Sequence, residues 1–141
     1  MNQQAKRLRA PPLRRRRRLY RKDVEIYDNS SGHYYYGDLK GKKLHGNGYL
    51  YTKDATFFCR FVEGEITGPG TVIFNDGLYR GELLNGKRHG FGWMKSTTGG
   101  QIDFTYNGNF ENDVFHGFGI LRIGTKEPLI GEFKHGKFCK T

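Results

Sequence analysis

From residue 35 onward, apolar and polar positions alternate in short runs, and the runs recur at near-constant spacing. In Tyr79-Arg80-Gly81-Glu82-Leu83 the odd positions are aromatic, small or apolar and the even ones charged. Period two over such a run predicts a half-buried strand. The same pattern stands at 35–39, 57–61 and 106–110. It aligns an aromatic column (Tyr35, Phe57, Tyr79, Tyr106), a small column (Gly37, Cys59, Gly81, Gly108) and an apolar column (Leu39, Phe61, Leu83, Phe110). Nine residues after each small residue comes Gly-x-Gly: Gly46 and Gly48, Gly68 and Gly70, Gly90 and Gly92, Gly117 and Gly119. Leu50, Val72, Met94 and Leu121 then share a column in a second strand. Each unit reads as one β-hairpin.

The units run over about 35–56, 57–78, 79–105, 106–128 and a partial 129–141, preceded by a degenerate half-repeat at 23–34 whose Val24-Glu25-Ile26-Tyr27 alternates. Asp76-Gly77, and Asp54-Ala55 in the equivalent place, supply two-residue turns. The segment 96–101 lengthens one turn, and Pro128 marks a longer connection before the last unit. The expected fold is all-β: an elongated, single-layer antiparallel sheet of about ten strands, with contacts mostly between neighbouring units. The aromatic and apolar columns straddle a glycine on one face, leaving a slot for a ring or a backbone. Gly90→Val is expected to damage folding by filling that slot.

Composition agrees with strands rather than helices. Of 141 residues 21 are glycine, about twice the usual share, and 15% are aromatic. No apolar stretch reaches the ~18 residues of a membrane span, and no secretory apolar region follows the basic start. Cys59 and Cys139 are too far apart in sequence for a disulfide framework or a metal knuckle, which suits a reducing compartment.

The net charge of +10 is confined to residues 1–22, which hold ten basic residues and no acid. The other 14 basic residues are balanced by the 14 acidic ones. The protein therefore reads as a neutral body with a cationic arm, expected to be disordered until bound. Arg14, Arg15, Arg16, Arg17, Arg18, Arg21 and Lys22 are the candidate contacts to an anionic surface. That surface is an acidic protein, anionic phospholipid, nucleic acid or an import receptor. Only Tyr20 interleaves an aromatic, so the nucleic-acid signal is weak.

Candidate chemistry is sparse. His45, His89 and His116 each precede a Gly-x-Gly and form one repeat column, so they read as turn residues rather than converging metal ligands. The Gly-x-Gly steps lack the third glycine and following helix of a dinucleotide site, and no Gly-Lys-Ser/Thr is present. No catalytic residues, metal site or cofactor are expected. Tyr49, Tyr51, Phe91, Trp93, Phe118 and Ile120 fall on the opposite alternation from Leu50, Val72, Met94 and Leu121. A single layer cannot bury both faces, so these six are the candidate partner-binding strip, for a helix or a second sheet.

The columns Tyr-x-Gly-x-Leu/Phe followed by Gly-x-Gly resemble the MORN (membrane occupation and recognition nexus) repeat, most fully at 79–92. Phe57, Cys59 and Asp113 depart from the pattern. The resemblance implies a curved single-layer sheet without catalytic activity, which binds protein partners in cytoskeletal or ciliary scaffolds. It places the protein in the cytoplasm, on the cytoskeleton or cilium. The arm leaves a membrane-peripheral tether and a nuclear or RNA-associated protein as rival readings.

Overall fold

The structure, a computed structural model, describes the backbone of residues 20–28 and 32–140 and the side chains of 32–139. Residues 1–19, with Arg14 to Arg18, lie outside the described residues. Eleven strands form one antiparallel sheet in chain order. They are β1 (Tyr20–Asp28), β2 (His33–Lys40), β3 (Lys43–Tyr51), β4 (Ala55–Val62), β5 (Glu65–Phe74) and β6 (Gly77–Leu84). There follow β7 (Lys87–Thr98), β8 (Gln101–Glu111), β9 (Val114–Ile123), β10 (Leu129–Lys134) and β11 (Lys137–Lys140). The half-repeat at 23–34 supplies β1, which pairs with β2. β1 opens at Tyr20, so Tyr20, Arg21 and Lys22 belong to a strand, not to a disordered arm.

Cross-strand register converts the sequence columns into straight rows. Gly37, Gly48, Cys59, Gly70, Gly81, Gly92, Gly108, Gly119 and Gly131 stand opposite one another from β2 to β10. On the same face runs Tyr35, Leu50, Phe57, Val72, Tyr79, Met94, Tyr106, Leu121 and Leu129. The glycine row is what lets the tyrosines lie down. A Cβ on Gly92 would sit 2.5 Å from Tyr79 Cε1, and one on Gly48 would sit 2.6 Å from Tyr35 Cε1. Each ring covers the glycines of its own hairpin, and its hydroxyl donates to the backbone three residues on: Tyr35 to Asp38 O (2.6 Å), Tyr79 to Glu82 O (2.6 Å), Tyr106 to Asn109 O (2.9 Å). The next unit closes the cradle edge-on. Phe61 meets Tyr35 at 5.3 Å, Phe110 meets Tyr79 at 5.1 Å, and Phe133 meets Tyr106 at 5.2 Å between centroids. Edge-to-face pairs contribute about 0.5–1.5 kcal/mol beyond area burial. A single layer thus builds a continuous core on one face, with Tyr79 and Tyr106 fully buried.

The two glycines of Gly-x-Gly have different tasks. The second faces the ring; the first holds a backbone conformation that L side chains disfavour, with φ of +86° at Gly46, +84° at Gly68, +85° at Gly90 and +94° at Gly117. There each second strand carries two residues more than its partner: Glu82 alone faces 89–91, since Gly81 pairs with Gly92 and Leu83 with Arg88. Gly90 is therefore not the slot glycine expected from the columns. A Cβ there meets Glu82 Cβ at 3.2 Å, not the ring, and the slot residue is Gly92.

The turns also differ from expectation. Phe74 pairs with Gly77, so the turn is Asn75-Asp76, and Gly77 lies in β6, where a Cβ would strike Lys95 O. Ala55 likewise opens β4, after a Thr52–Asp54 loop in which the Thr52 hydroxyl bonds Ala55. The turns inside the units are as short as Asn75-Asp76. Glu63-Gly64, Asn85-Gly86, Asn112-Asp113 and His135-Gly136 all have φ between +47° and +89° at both residues, the type I′ geometry that matches strand twist. The 96–101 insertion is not a long loop. It extends β7 and β8, rich in β-branched and aromatic residues, around a Gly99-Gly100 turn.

Candidate interaction surface

Opposite the cradle the sheet presents a second row: Tyr36, Tyr49, Phe58, Thr71, Arg80, Trp93, Asn107, Ile120 and Ile130. The structure places all six strip residues on this face, but in two groups. Tyr49 and Tyr51 belong to an aromatic cluster over β2–β4. Their rings lie 6.4 Å apart, and Tyr49 also meets Phe58 at 4.5 Å and Tyr36 at 5.8 Å. Beside it opens a cavity of about 360 Å³ whose walls include Asn47, Tyr49, Phe58, Arg60 and Pro69. Phe91, Trp93, Phe118 and Ile120 lie four to six strands further on. Phe91 is 60% exposed and Phe118 54%, and they flank Asn109 of β8. Trp93 and Ile120 are half-buried in the neighbouring row. Thr71 and Arg80 separate the two groups. Phe58 and Ile130 complete the face and follow from the same alternation once the register is known.

The histidine column serves the turns. His45 Nδ1 accepts the Glu63 amide (3.1 Å), and His89 Nδ1 accepts the Asn112 amide (3.4 Å), each at the first position of the next unit's tight turn. His116 instead pairs with Glu111 at 3.1 Å. No group of three His, Cys, Asp or Glu residues converges to hold a metal among the described residues. Burial raises the Cys59 thiol to about 12, so it is a poor nucleophile. Burial likewise pushes Tyr79 and Tyr106 up to about 12 and raises Tyr35 further.

These features define a class: a tandem β-hairpin repeat module, with one face closed by its own aromatic core and the other carrying exposed aromatic groups. Residues 60–78, 79–101 and 106–125 match the MORN repeat, in register with units two to four. These three consecutive segments are MORN repeats. Over 69 residues, 45% of its length, the chain is 36% identical to alsin of Rattus norvegicus, and it matches alsin of Mus musculus and Homo sapiens to the same extent. The shared stretch spans 4% of alsin's length. Residues 35–56 and 129–140 lie outside the three repeat matches, yet they continue the same glycine and aromatic rows.

Proposed function

We propose that this protein is a non-catalytic interaction scaffold that holds a partner protein on the outer face of its repeat sheet, in a cytoskeletal or ciliary assembly. The observation that carries the reading is the pair Phe91 and Phe118, both more than half exposed with only β8 between them, beside Trp93 and Ile120. Exposed aromatic rings offer a large apolar area with only two side-chain torsions to fix on docking, and make strong anchors. The cytoskeletal or ciliary setting draws on the family resemblance. The basic segment 1–22 adds a second attachment to an acidic surface, raising the local concentration for the sheet's contact.

The test is proximity labelling with detergent extraction, comparing the wild type, F91S/F118S and a chain lacking 1–19. The scaffold reading expects F91S/F118S to fold normally and lose its insoluble neighbours, while the shortened chain keeps them. Unchanged labelling by F91S/F118S refutes it. The ten basic residues favour a second reading, a peripheral membrane tether, with each contributing up to about 1 kcal/mol near anionic lipid. Salt-sensitive binding to anionic but not neutral vesicles, abolished without 1–19, would support it.

A further inference from the structure

One residue breaks an otherwise apolar column on the cradle face. The second residue after each tight turn, or its equivalent in unit one, is Leu44, Ile66, Arg88, Phe115 or Phe138. The four apolar members pack against the core. Arg88 stands among them with its side chain only 18% exposed, its guanidinium 5.4 Å from the Phe74 ring centroid and 5.7 Å from that of Phe110. The facing turn departs from its repeats at the same place. Gly64, Gly86 and Gly136 occupy the second turn position in other units, whereas Asp113 holds it here at φ +74°, and its Oδ1 accepts both Arg88 Nε (3.0 Å) and the Arg88 amide (2.8 Å).

This pair is not needed to fasten the turn. In every unit with a glycine the turn amide already donates to the preceding unit: Gly64 to Leu44 O, Gly86 to Ile66 O and Gly136 to Phe115 O, at 2.8–3.2 Å. Asp113 makes the same bond to Arg88 O at 2.9 Å. The charged pair is added to a staple that works without it, at a positive-φ position that glycine holds in the other units. What the addition accomplishes is orientation. Asp113 occupies the Nε edge and the two phenyl rings fix the plane. On the outer edge Nη1 meets only the weak acceptor Met94 Sδ at 3.1 Å, and Nη2 has no hydrogen-bond partner among the described residues. Beside the guanidinium opens a cavity of about 240 Å³ lined by Arg88, Met94, Asp113, Val114, Phe115 and Gly136.

We propose that Arg88 is a carboxylate receptor: its Nη edge takes an Asp or Glu side chain from a protein segment whose neighbouring apolar residue enters the Met94, Val114 and Phe115 cavity. A planar fork held by an acid on one edge suits two-point recognition of a carboxylate on the other. The inference rests on the scaffold reading only in taking the ligand to be protein. Its site lies on the opposite face from Phe91 and Phe118, so either can fail alone.

The experiment is selection from a library of random short displayed peptides on the full chain at about 0.5 M salt, which screens the basic charges of 1–22. The selected sequences are then compared as synthetic acid and amide pairs by titration. Wild type is expected to enrich Asp or Glu beside Leu, Phe or Met, and to bind the acid about tenfold or more tightly than its amide. R88L/D113G restores residue types that the other units use, and its cooperative melting would confirm its fold. It is expected to lose the acid preference, and R88K, which keeps the charge without the fork, to retain only part of it. No acid enrichment by wild type, or the same acid-over-amide ratio in both variants, overturns the proposal.

Discussion

Gly92→Ala is the smallest change that strikes the cradle. A Cβ at this position lies 2.5 Å from Tyr79 Cε1 and 2.6 Å from Cζ. Carbon atoms in contact prefer about 3.5–4.0 Å, so the ring must move by roughly an ångström. It has little room, being fully buried, edge-on to Phe110, and bonded through its hydroxyl to Glu82 O at 2.6 Å. Overpacking of this kind costs about 1–3 kcal/mol, and losing the hydroxyl bond about 1 kcal/mol more. A sum near 3 kcal/mol lowers the melting temperature of a domain this size by roughly 10 °C. Gly90→Ala supplies the control. Its Cβ meets only the flexible Glu82 side chain, Cβ at 3.2 Å and Cγ at 3.3 Å, so its cost is mainly the positive φ, about 1–2 kcal/mol. The assay is thermal and urea unfolding of both variants, each alone and combined with Tyr79→Leu. Removing the ring should abolish most of the Gly92→Ala penalty and leave that of Gly90→Ala intact. Additive losses for Gly92→Ala and Tyr79→Leu, or a wild-type melt for Gly92→Ala, would refute the ring-over-glycine account.

Tyr79 and Tyr106 titrate near 12 because burial disfavours the phenolate; their stabilisation is complete below pH ~10 and lost as pH rises through 12. Phenolate absorbance followed with circular dichroism should therefore show these tyrosines ionising later than free tyrosine, with the melting temperature falling across the same pH range, and their ionisation near pH ~10 with the sheet intact would contradict it. A thiol-specific disulfide reagent should label exposed Cys139 in the native protein and buried Cys59 only after unfolding; equal native rates would mean that the cradle opens. Asn85→Val places a β-branched residue at φ +52° in a type I′ turn and should cost about 1–2 kcal/mol in urea unfolding. Exposed Phe91→Ser should change stability by no more than about 0.5 kcal/mol by the same measurement.

Much of this molecule can be read along the chain because its order is local and repeated. Alternation at period two assigns each side chain to a face, and five aligned units show which positions lie in strands. Hence the sheet, the aromatic and glycine columns, and the presence of Phe91 and Phe118 on the face opposite Met94 follow from sequence. The Asn85-Gly86 dipeptide was an open signal for the tight turn within a unit, as was Arg88 within a column of Leu44, Ile66 and Phe115. Their meaning depended on what lay across the strand.

Register decided the rest. The two extra residues at each Gly-x-Gly change which residues face each other, and only that offset assigns the ring to Gly92 and the strained backbone to Gly90. The offset and the inter-unit turns also bring Asp113 to Arg88, 25 residues away, and Phe110 to Tyr79. Strand character and facing are set by neighbours along the chain, whose geometry the backbone dictates. Contacts between units depend on how successive hairpins stack, and that is set by bulges and positive-φ turns acting together across the sheet.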